Sequence, residues 1–508
     1  MLSVVDTGPP PPCPAPFNMA AHVLIHAEST PERIALAVVG PRGAEEWSHA
    51  RLAAAVRGTA TGLLERGLGP GDRVLLRLGN TVDFPIAYLG CIVVGLVPVP
   101  TSPQLTAREV AALLPDLAPA AILRDPAIAC PETEAPQIAP DALRAMRELP
   151  PAPFAMGDPG RPAYIVYTSG TAARPRAVIH AHRAVWARRM MHEGWCGLGS
   201  DDRLLHAGAF NWTYTMGTGL MDPWHVGATA LIPEAALPVD ALPDLLKRYE
   251  ATIFAAAPGI YRKILNLGTS LDLPRLRHGL SAGEKLSPRI AADWHAATGT
   301  AIYEAYGMSE CSTFVSSCPA RPAPAESLGW PQPGRRVAIL GEDGPVPRGT
   351  PGVIAVHRDD PGLMLGYLGC EDPMDGRLRG DWFLTGDQGL MAEDGAITYL
   401  ARSDDMMNAG GYRVSPLEVE EALAGIPGID QIAVTEVEVK RDARLIMAFY
   451  TGAAPLPEDL LARHAAERLA RYKCPRGFFH VEALPTNPNG KLQRRALAQF
   501  YEARHGAS

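Results

Sequence analysis

Short apolar runs alternate with longer helical patterns along the first 130 residues of the chain. Arg73–Leu78 follows a Gly-Pro-Gly-Asp turn and predicts a strand, and the apolar run 83–96 predicts a buried helix. Thr106 and Glu109 have the spacing of a capping box, which predicts the start of another helix. Ala120–Leu123 predicts a further short strand. This alternation is typical of an α/β architecture with a largely parallel sheet.

Composition divides the rest of the chain into segments. Residues 131–160 are rich in proline and alanine and predict a connection, after which a second α/β block covers about 163–340. From 335 to 400 the pattern favours short strands separated by glycine and proline turns. The order of elements therefore predicts a large first part that contains more than one sheet.

Charge marks the last segment. Residues 405–508 contain 13 acidic and 13 basic residues, so the formal charge of −8 belongs to residues 1–404. We therefore predict a domain boundary near 402–405. The predicted organisation is a flexible proline-rich leader at 1–18, an N-terminal domain at 19–402 and a small C-terminal domain at 403–508.

The overall composition excludes several classes of protein. With 47% apolar and 20% charged residues among 508, the chain is globular rather than disordered. A net charge of −8 argues against a nucleic-acid partner bound through a large basic field. The longest apolar stretch, 86–97, is about half of the ~20 residues that a membrane span needs. The eight cysteines form no CxxC pair, so we expect a reducing, cytoplasmic location and no zinc ribbon or disulfide framework.

The first segment with chemical content runs from Tyr164 to Ala177, where an apolar strand leads into a loop of small hydroxyl residues. Backbone N–H groups and hydroxyls in such a loop can bind phosphate oxygens. The Walker A pattern is absent from the sequence. Taken alone, the segment leaves two interpretations open, a phosphate-binding loop and a polar loop after a core strand. The candidate phosphate ligands are Thr168, Ser169, Gly170, Thr171 and Arg176.

Six later motifs follow this loop in order. They are Ser281–Lys285, Tyr303–Glu310, Thr385–Asp387, Arg402–Asp404, Gly410–Arg413 and Asn489–Lys491. Together with the loop they resemble the adenylate-forming superfamily of acyl-CoA synthetases, adenylation domains and luciferases, over about residues 20–500. The resemblance implies an α/β fold with a large N-terminal multi-sheet AMP-binding domain and a small, mobile α+β C-terminal domain. It also implies ATP, Mg²⁺ and, as co-substrate, coenzyme A.

The resemblance places the reacting phosphates beside the motif Tyr303–Glu310. Glu310 is expected to hold Mg²⁺, because a carboxylate can hold the metal against phosphate oxygens, and Ser309 is expected to contact the α-phosphate. The ring of Tyr306 is expected to face the adenine. Without the flanking motif, a solvated surface glutamate and a packed core tyrosine are the plain alternatives. The other expected nucleotide contacts are Gly283, Glu284, Glu304 and Gly307.

Two further charged residues receive nucleotide roles from the resemblance. Asp387 is expected to accept hydrogen bonds from the ribose hydroxyls, and Arg402 to contact the nucleotide as well. From the residues alone, a turn aspartate that satisfies its own backbone is the alternative for Asp387. Lys491 follows a strong turn signal and resembles the catalytic lysine that bridges the carboxylate and the α-phosphate in the first half-reaction.

The motifs after residue 403 imply a mobile domain and a thiol site. Asp404 resembles the hinge about which the small domain rotates. Gly410 and Gly411 leave room for close approach of a ligand, because they carry no Cβ, and they resemble the segment that lines the CoA tunnel. Arg413 resembles a residue that contacts a CoA phosphate.

The acid-binding pocket is expected around Phe210–Tyr214. We predict Phe210, Trp212 and Tyr214 as its aromatic wall and Ala256 as a small residue on the opposite strand. Residues 203–221 contain no acidic residue, where amino-acid-activating relatives place an aspartate, so we expect an acid without an ammonium group. A small aryl or short-to-medium acyl monocarboxylate fits this pattern.

The phosphate loop departs from the family pattern. Ala172 replaces a hydroxyl residue, Ala173 and Ala177 replace glycines, and Arg176 replaces a lysine. Alanine is strained wherever a loop needs a positive φ, and arginine keeps the charge but not the shape of lysine. These changes predict slower handling of pyrophosphate.

The sequence therefore predicts an ATP-dependent carboxylate–CoA ligase that acts on a small carboxylic acid. Two alternatives stay open, an adenylating enzyme that loads a carrier protein and a nucleotide-binding pseudoenzyme. A homodimer is also left open. No role is assigned to His180 or His182.

Overall fold

The fold was determined as a computed structural model of the 508-residue chain. The structure describes residues 1–168, 175–235, 237–268, 271–324, 326–403, 405–409, 412–440, 443–469, 471, 473–486 and 491–505. Several residues with predicted roles lie outside these ranges, namely Ser169, Gly170, Thr171, Ala172, Ala173, Asp404, Gly410 and Gly411.

Strands occur along the whole described chain. They are β1 (Val4–Val5), β2 (Ile34–Gly40), β3 (Gly43–Ser48), β4 (Arg73–Arg77), β5 (Val97–Pro100), β6 (Ala121–Arg124), β7 (Gln137–Ile138), β8 (Pro162–Tyr167), β9 (Ala177–Ala181), β10 (Arg203–His206), β11 (Thr229–Pro233), β12 (Ile253–Ala256), β13 (His278–Ala282), β14 (Ala301–Met308), β15 (Ser312–Ser316), β16 (Trp330–Pro331), β17 (Val337–Leu340), β18 (Gly352–His357), β19 (Gly366–Tyr367), β20 (Leu378–Arg379), β21 (Trp382–Met391), β22 (Ile397–Arg402), β23 (Met407–Ala409), β24 (Tyr412–Val414), β25 (Gln431–Lys440), β26 (Ala443–Thr451) and β27 (Phe478–His480).

Helices connect most of these strands. They are α1 (Met19–Val23), α2 (His26–Ser29), α3 (His49–Leu64), α4 (Asp83–Val93), α5 (Ala107–Ala111), α6 (Leu114–Leu117), α7 (Pro140–Met146), α8 (Ala184–Ala187), α9 (Arg189–Met191), α10 (Asp222–Val226), α11 (Leu242–Arg248), α12 (Pro258–Leu265), α13 (Pro288–Thr298), α14 (Pro416–Leu423), α15 (Glu458–Arg468) and α16 (Leu497–His505). Single-turn π-helical segments cover His192–Cys196 and Thr215–Met221, and 3₁₀ turns cover Val239–Ala241 and Arg494–Ala496.

The largest sheet has nine strands in the order β16-β15-β14-β13-β12-β10-β11-β2-β3. Its six central strands, from β14 to β2, are all parallel, while β15, β16 and β3 add antiparallel edges. Central strands such as β12, in which every residue is buried, are apolar throughout because both faces of a parallel sheet are covered. This sheet confirms the predicted α/β architecture.

Parallel pairing brings separate loops to one edge of the sheet. The register pairs Ala282 of β13 with Ala305 of β14, so the segment after β13 lies beside the end of β14. The segment after β10 leaves from the same edge, because β10 and β12 are parallel to β13. Ligands of open α/β sheets bind in the crevice at the carboxyl ends of the strands. The loops 207–214, 283–285 and 309–311 therefore share one edge.

Local signals in the first 130 residues predicted the elements there. Strand β4 and helix α4 lie where the pattern placed them, although the helix ends at Val93 rather than 96. The capping box is present: the Glu109 N–H donates to Thr106 Oγ1 at 3.3 Å, and the Thr106 N–H donates to Glu109 Oε2 at 2.8 Å. Strands β4 to β7 form a four-stranded parallel sheet, and β19, β9 and β8 form an antiparallel sheet of three.

The predicted proline-rich leader at 1–18 makes backbone hydrogen bonds near both of its ends. The Ser3 N–H donates to the Val346 carbonyl at 2.7 Å, and the Ser3 side chain is fully buried. At the other end, Phe17 is buried, and its N–H donates to the Gly157 carbonyl at 2.7 Å. Residues outside the proline run supply the backbone donors that proline lacks, and the flexibility of the leader remains a prediction.

The chain divides into two compact units. The C-terminal unit comprises 1–4, 338–355 and 384–508, and the N-terminal unit comprises 5–337 and 356–383. The predicted boundary near 402–405 remains a prediction. In the helices that the structure describes, no stretch combines the length and hydropathy that a bilayer crossing needs.

The last hundred residues form a small α+β assembly. Strands β25 and β26 pair as a long antiparallel hairpin, and β27 adds to β26 in parallel. Helix α14 begins at the cap Ser415 and buries Val419 and Leu423 against this sheet. The carboxylate of Glu420 forms an ion pair with Arg494, which ties this helix to the end of the chain.

Candidate functional site

A tight hairpin between β14 and β15 carries Ser309 and Glu310. Gly307 is required here, because a Cβ at this position would lie 2.1 Å from the Ser312 carbonyl oxygen. Ser312 itself has a φ of +62°, which is strained for a residue with a side chain. The hairpin therefore holds Ser309 and Glu310 in one defined turn at the carboxyl edge of the sheet.

Glu310 is buried and hydrogen-bonded. The Tyr367 hydroxyl donates to Glu310 Oε1 at 2.6 Å, and Arg377 Nη1 lies 3.5 Å from the same oxygen. The backbone contributes too, because the Met364 N–H donates to the Glu310 carbonyl at 2.8 Å. Burial, and after it the neighbouring Glu310 carboxylate, raises the pKa of Tyr367, so this phenol stays protonated as a donor. Glu310 is thus a fixed carboxylate rather than a solvated surface residue.

Tyr367 also connects Glu310 to the base of the phosphate loop. The Arg176 guanidinium lies over the Tyr367 ring, 5.1 Å from its centre, and pairs with Asp375. The Arg176 N–H donates to Thr168 Oγ1 at 3.3 Å. These two residues stand at the two ends of the loop that connects β8 to β9. The structure therefore brings Thr168, Arg176 and Glu310 together, and their contacts with a nucleotide remain predictions.

The Glu310 carboxylate is a suitable ligand for Mg²⁺. The described residues contain no group of three or more His, Cys, Asp or Glu side chains that could hold a metal by themselves. Mg²⁺ does not need such a cage, because it commonly binds one or two protein carboxylates together with substrate phosphates and water. Glu310 accepts one strong hydrogen bond and keeps further lone pairs for a cation. Glu310 is accordingly the residue that would hold Mg²⁺.

The predicted adenine contacts lie at the neighbouring strand end. Gly283 has a φ of +95°, and a Cβ there would lie 2.5 Å from the Trp212 ring, so Trp212 packs directly on this glycine. Tyr306 makes an edge contact with Phe314, with ring centres 5.3 Å apart. Gly283 and its neighbour Glu284 follow β13 immediately and so flank the end of β14.

Glu304 has a structural contact. Its Oε1 accepts the Leu286 N–H at 2.7 Å, and Lys285 Nζ lies 3.4 Å from its Oε2. Burial raises the pKa of Glu304, and Lys285 opposes this shift. Glu304 therefore fixes the segment after β13 from the adjacent strand, and its nucleotide role remains a prediction.

A small cavity lies beside the Ser309–Glu310 turn. It measures about 20 Å³, and Ser309 and Ser312 line it from the hairpin. Two tyrosines and an imidazole supply ring walls, and a buried arginine and an amide supply polar groups. These residues are Tyr88, Tyr164, His180, Arg188 and Asn211.

The aromatic residues predicted for the acid pocket lie close to this cavity or in the core beside it. Phe210 is buried against Phe84, with ring centres 5.6 Å apart, and Tyr214 donates its hydroxyl to the Leu280 carbonyl at 3.0 Å. Trp212 contacts Tyr214 edge to face. Their neighbours Asn211 and Thr213 line the cavity.

The structure does not bring Ala256 together with these aromatic residues. Ala255 shares the apolar cluster of Tyr214 and Trp212, whereas Ala256 belongs to the cluster on the other side of the sheet. The reason is the two-residue alternation of strand β12, which points neighbouring side chains to opposite faces. Ala255 is the residue on the aromatic side.

The C-terminal unit contains a second group of predicted site residues. Asp387 of β21 stands opposite Arg402 of β22 in the antiparallel register, and Arg402 Nε lies 3.4 Å from Asp387 Oδ1. The Asp387 N–H donates to Thr385 Oγ1 at 3.1 Å. Strand β21 continues through Asp387 to Met391, so this residue lies within a strand and not in the expected turn. Asp387 and Arg402 are thus brought together, and their contacts with a nucleotide remain predictions.

The remaining predicted residues of this unit are only partly described. Lys491 has an exposed side chain next to an isolated bridge between Thr486 and Leu492. Arg413 lies in β24, opposite Asn408 in the hairpin with β23. Their roles in catalysis and in CoA binding remain predictions.

Sequence reasoning missed four residues around the N-terminal site. They are Tyr367, Arg377, Arg188 and Asn211. Tyr367 and Arg377 lie more than 50 residues after Glu310, in a stretch without a motif. Asn211 lies within the predicted aromatic segment, where an amide between two aromatic residues was a visible signal.

Replacing Asp387 by alanine is expected to weaken ATP binding by about 10-fold or more, because a charged acceptor for hydroxyl donors is lost. Titration calorimetry of ATP with the purified variant measures this change. Asp343→Ala, an exposed aspartate of the same unit, is the matched control. Equal ATP affinity of the Asp387 variant and the control would exclude Asp387 from the nucleotide site.

Comparison with known protein families gives two matches along the chain. Residues 24–368 match the family of AMP-binding enzymes, and residues 418–491 match the C-terminal domain of AMP-binding enzymes. The first match covers more than half of the chain and includes the phosphate loop, the Ser309–Glu310 turn and Tyr367.

Individual relatives agree with this match. The human mitochondrial acyl-coenzyme A synthetase ACSM2A is 30% identical over 95% of this chain and 91% of its own length. The 3-hydroxybenzoate–CoA/4-hydroxybenzoate–CoA ligase of Thauera aromatica is 29% identical over 90% of this chain and 92% of its own. Among solved structures, ATP-bound MatB from Rhodopseudomonas palustris superposes with a TM-score of 0.87 at 25% identity, over 96% of this chain and 99% of that one.

These similarities confirm the resemblance, the fold class with a large and a small domain, and the use of ATP, Mg²⁺ and CoA. The chain belongs to the family of AMP-binding enzymes and is an adenylate-forming acid–thiol ligase.

Proposed function

We propose that this ligase joins a small aryl or short-to-medium acyl monocarboxylate to CoA in two steps. In the first step a carboxylate oxygen bonds to the α-phosphorus of ATP, and the bond from that phosphorus to pyrophosphate breaks. In the second step the CoA sulfur bonds to the acyl carbon of the mixed anhydride, the thiol proton is lost, and AMP leaves.

One observation carries this proposal. The turn Ser309–Glu310 is linked to the base of the phosphate loop through Tyr367 and Arg176, and Ser309 of the same turn lines the cavity. An acid in the cavity and a nucleotide at the loop would therefore meet at Ser309. This arrangement is what transfer of an adenylyl group to an acid requires, since the two reactants must be held in contact.

The residues of this chain supply charge and position rather than a base. A carboxylic acid is already ionised at neutral pH, so no group has to remove its proton. The Arg176 guanidinium carries a permanent positive charge beside the loop. Mg²⁺, when bound at Glu310, neutralises phosphate charge. Glu310, fixed by Tyr367, would keep that cation in register with Ser309.

The cavity supports a small acid without an ammonium group. Asp222 is an acidic residue near the cavity wall, but its carboxylate is already occupied by the guanidinium of Arg188, at 2.8 and 2.6 Å. It therefore offers no free counter-charge for an ammonium group. Ring walls from Tyr88 and Tyr164 suit an aryl or short acyl group, and one relative is a hydroxybenzoate–CoA ligase.

We assign the C-terminal domain a role in each of the two steps. Lys491 is proposed to bridge the carboxylate and the α-phosphate in the first step. Rotation about Asp404 would then withdraw it and present Gly410 and Gly411 to the thiol, with Arg413 on a CoA phosphate. Exclusion of water between the two steps would protect the anhydride from hydrolysis.

Two alternatives are distinguished by specific observations. A carrier-protein arm is an alternative acceptor of the acyl group. The cytoplasmic location and the homodimer remain predictions. A pseudoenzyme loses support at Ala177, which starts the regular strand β9 and pairs with Tyr167, so no glycine geometry is needed there. Among described residues with side chains, Ala177 is not one of those with a positive φ.

A panel of carboxylic acids, scored by pyrophosphate release with and without CoA, tests the proposed function. We expect acid-dependent pyrophosphate release and consumption of CoA thiol. Release without CoA consumption, together with loading of a carrier protein, would favour the first alternative. The absence of release with every acid would favour the pseudoenzyme.

Tyr367→Phe is expected to lower kcat/KM for pyrophosphate release by about 10-fold or more, because Glu310 loses a hydrogen bond to its charged carboxylate. The Mg²⁺ concentration that gives half-maximal activity should also rise. A purely structural loss would not cause this change. Tyr249→Phe removes a hydroxyl that donates to the Gly40 carbonyl and serves as the control. An unchanged Mg²⁺ dependence of Tyr367→Phe would contradict the assigned role of Tyr367.

Lys491→Ala is expected to reduce adenylation by about 10²–10³-fold while thioester formation from supplied acyl-AMP persists. The two half-reactions are measured separately, by pyrophosphate release and by thioester formation. Lys473→Ala breaks an ion pair with Glu418 in the same unit and provides a matched control. Equal losses in both half-reactions would refute the assignment of Lys491 to the first step.

A further inference from the structure

The imidazole of His180 presents an unsatisfied acceptor to the cavity. Its Nε2 lies 2.7 Å from the Ser309 carbonyl oxygen, which can only accept, so Nε2 carries the hydrogen. Burial lowers the pKa of His180 to about 4, and the ring is neutral at pH 7. Nδ1 is then a bare acceptor, and within the described residues it has no hydrogen-bond partner. His180 is only 2% exposed, so bulk water does not compensate.

A second acceptor in the same cavity lacks a donor. Oδ1 of Asn211 is buried, and the part of the chain that the structure describes offers it no hydrogen bond. Asn211 and His180 both line the cavity, from the loop after β10 and from β9. A buried acceptor without a donor is unfavourable, so a bound molecule that supplies donors is favoured here.

The charged residue of the cavity is already neutralised. Arg188 donates to both oxygens of Asp222, at 2.8 and 2.6 Å, and to the hydroxyls of Thr218 and Ser312, at 3.1 and 2.8 Å. Gly217 leaves room for the guanidinium, since a Cβ there would lie 2.2 Å from Arg188 Cζ. Arg188 and Asp222 are thus a neutral buried pair. A second carboxylate on the ligand would be buried without a cation of its own, which is unfavourable.

Shape limits the ligand to a small, flat group. The Tyr164 ring stacks on His180 with centres 4.9 Å apart, and Tyr88 lies 5.9 Å from Tyr164. The cavity of about 20 Å³ holds about one water molecule as its side chains stand. Met216 and Met221 also line it, and unbranched methionine side chains adapt to a bound ring.

We propose that the acid is a small aryl carboxylate that carries a neutral hydrogen-bond donor, a hydroxyl or amino group, directed to His180 Nδ1 and Asn211 Oδ1. This inference rests on the proposed function, since it takes the cavity as the acid site. A hydroxyl, with one hydrogen, satisfies one of the two bare acceptors, an amino group can satisfy both, and the carboxylate of the acid remains at Ser309. His180, which had no role from the sequence, becomes a specificity-determining residue.

The first test compares acids of one size on the wild-type enzyme. Benzoate, 3- and 4-hydroxybenzoate, 3-aminobenzoate and the dicarboxylate isophthalate are compared by kcat/KM for pyrophosphate release. We expect the kcat/KM of at least one hydroxybenzoate or aminobenzoate to exceed that of benzoate by about 10–100-fold. An unsubstituted ring leaves the two acceptors unpaired. Isophthalate should be turned over more slowly than benzoate.

The outcomes separate this inference from the proposed function. Benzoate that reacts as well as the substituted acids, or isophthalate that reacts best, would overturn the inference and leave the ligase activity standing. Failure of every acid to release pyrophosphate would remove the proposed function and the inference with it.

The second test uses His180→Gln. The glutamine amide can keep a donor near Nε2 for the Ser309 carbonyl, but it has no counterpart of Nδ1. We expect the preference for the substituted acid over benzoate, taken as the ratio of their kcat/KM values, to fall by about 10-fold. The preference is a ratio within one variant, so a loss of folded protein does not change it.

His182→Gln is the matched control for this variant. His182 lies two residues further along, is buried, and accepts the Met19 N–H at its Nδ1 at 3.0 Å, but it does not line the cavity. The His182→Gln variant should show the same preference among the acids as the wild type. A His180 variant that keeps the wild-type preference, or a His182 variant that loses it to the same extent, would overturn the role of His180.

Discussion

A buried carboxylate held by one strong donor organises the N-terminal site. Glu310 cannot remain charged inside the protein without partners, and Tyr367 supplies a hydrogen bond at 2.6 Å from a segment far along the chain. The same tyrosine places its ring under Arg176, so it links the Arg176 guanidinium to the turn after β14. Ser309, next to Glu310, then becomes the point at which a nucleotide and an acid in the cavity can meet. In the proposed function, transfer of the adenylyl group to the acid depends on this juxtaposition.

The features that could be predicted from the sequence are those with a local cause. The capping box at Thr106 and Glu109 and the strand Arg73–Arg77 depend on neighbouring residues, and the structure contains both. The order of the motifs predicted the family, and the comparisons confirmed it. The sequence assigned Thr168, Arg176 and Glu310 to one phosphate site through the resemblance, and the structure brings these residues together.

The features that the sequence did not predict depend on contacts between residues distant in sequence, or on the face of a strand to which a side chain points. Tyr367 and Glu310 are 57 residues apart, and Arg188 and Asp222 are 34 apart, so no local pattern announces either pair. Ala255 and Ala256 look alike in the sequence, and only the register of β12 decides which of them faces Tyr214. The bare acceptor of His180 depends on the Ser309 carbonyl, which only a folded hairpin places beside it.

The neutral pair of Arg188 and Asp222 has a consequence for the response of the enzyme to ionic strength. Both side chains are at least nine-tenths buried, so mobile ions cannot come between them or screen them. Discrimination among acids should therefore be nearly independent of salt concentration. Attraction of the polyanionic nucleotide to the partly exposed Arg176 should weaken as salt is added. One enzyme would thus show a salt-sensitive affinity for one substrate and a salt-insensitive choice of the other.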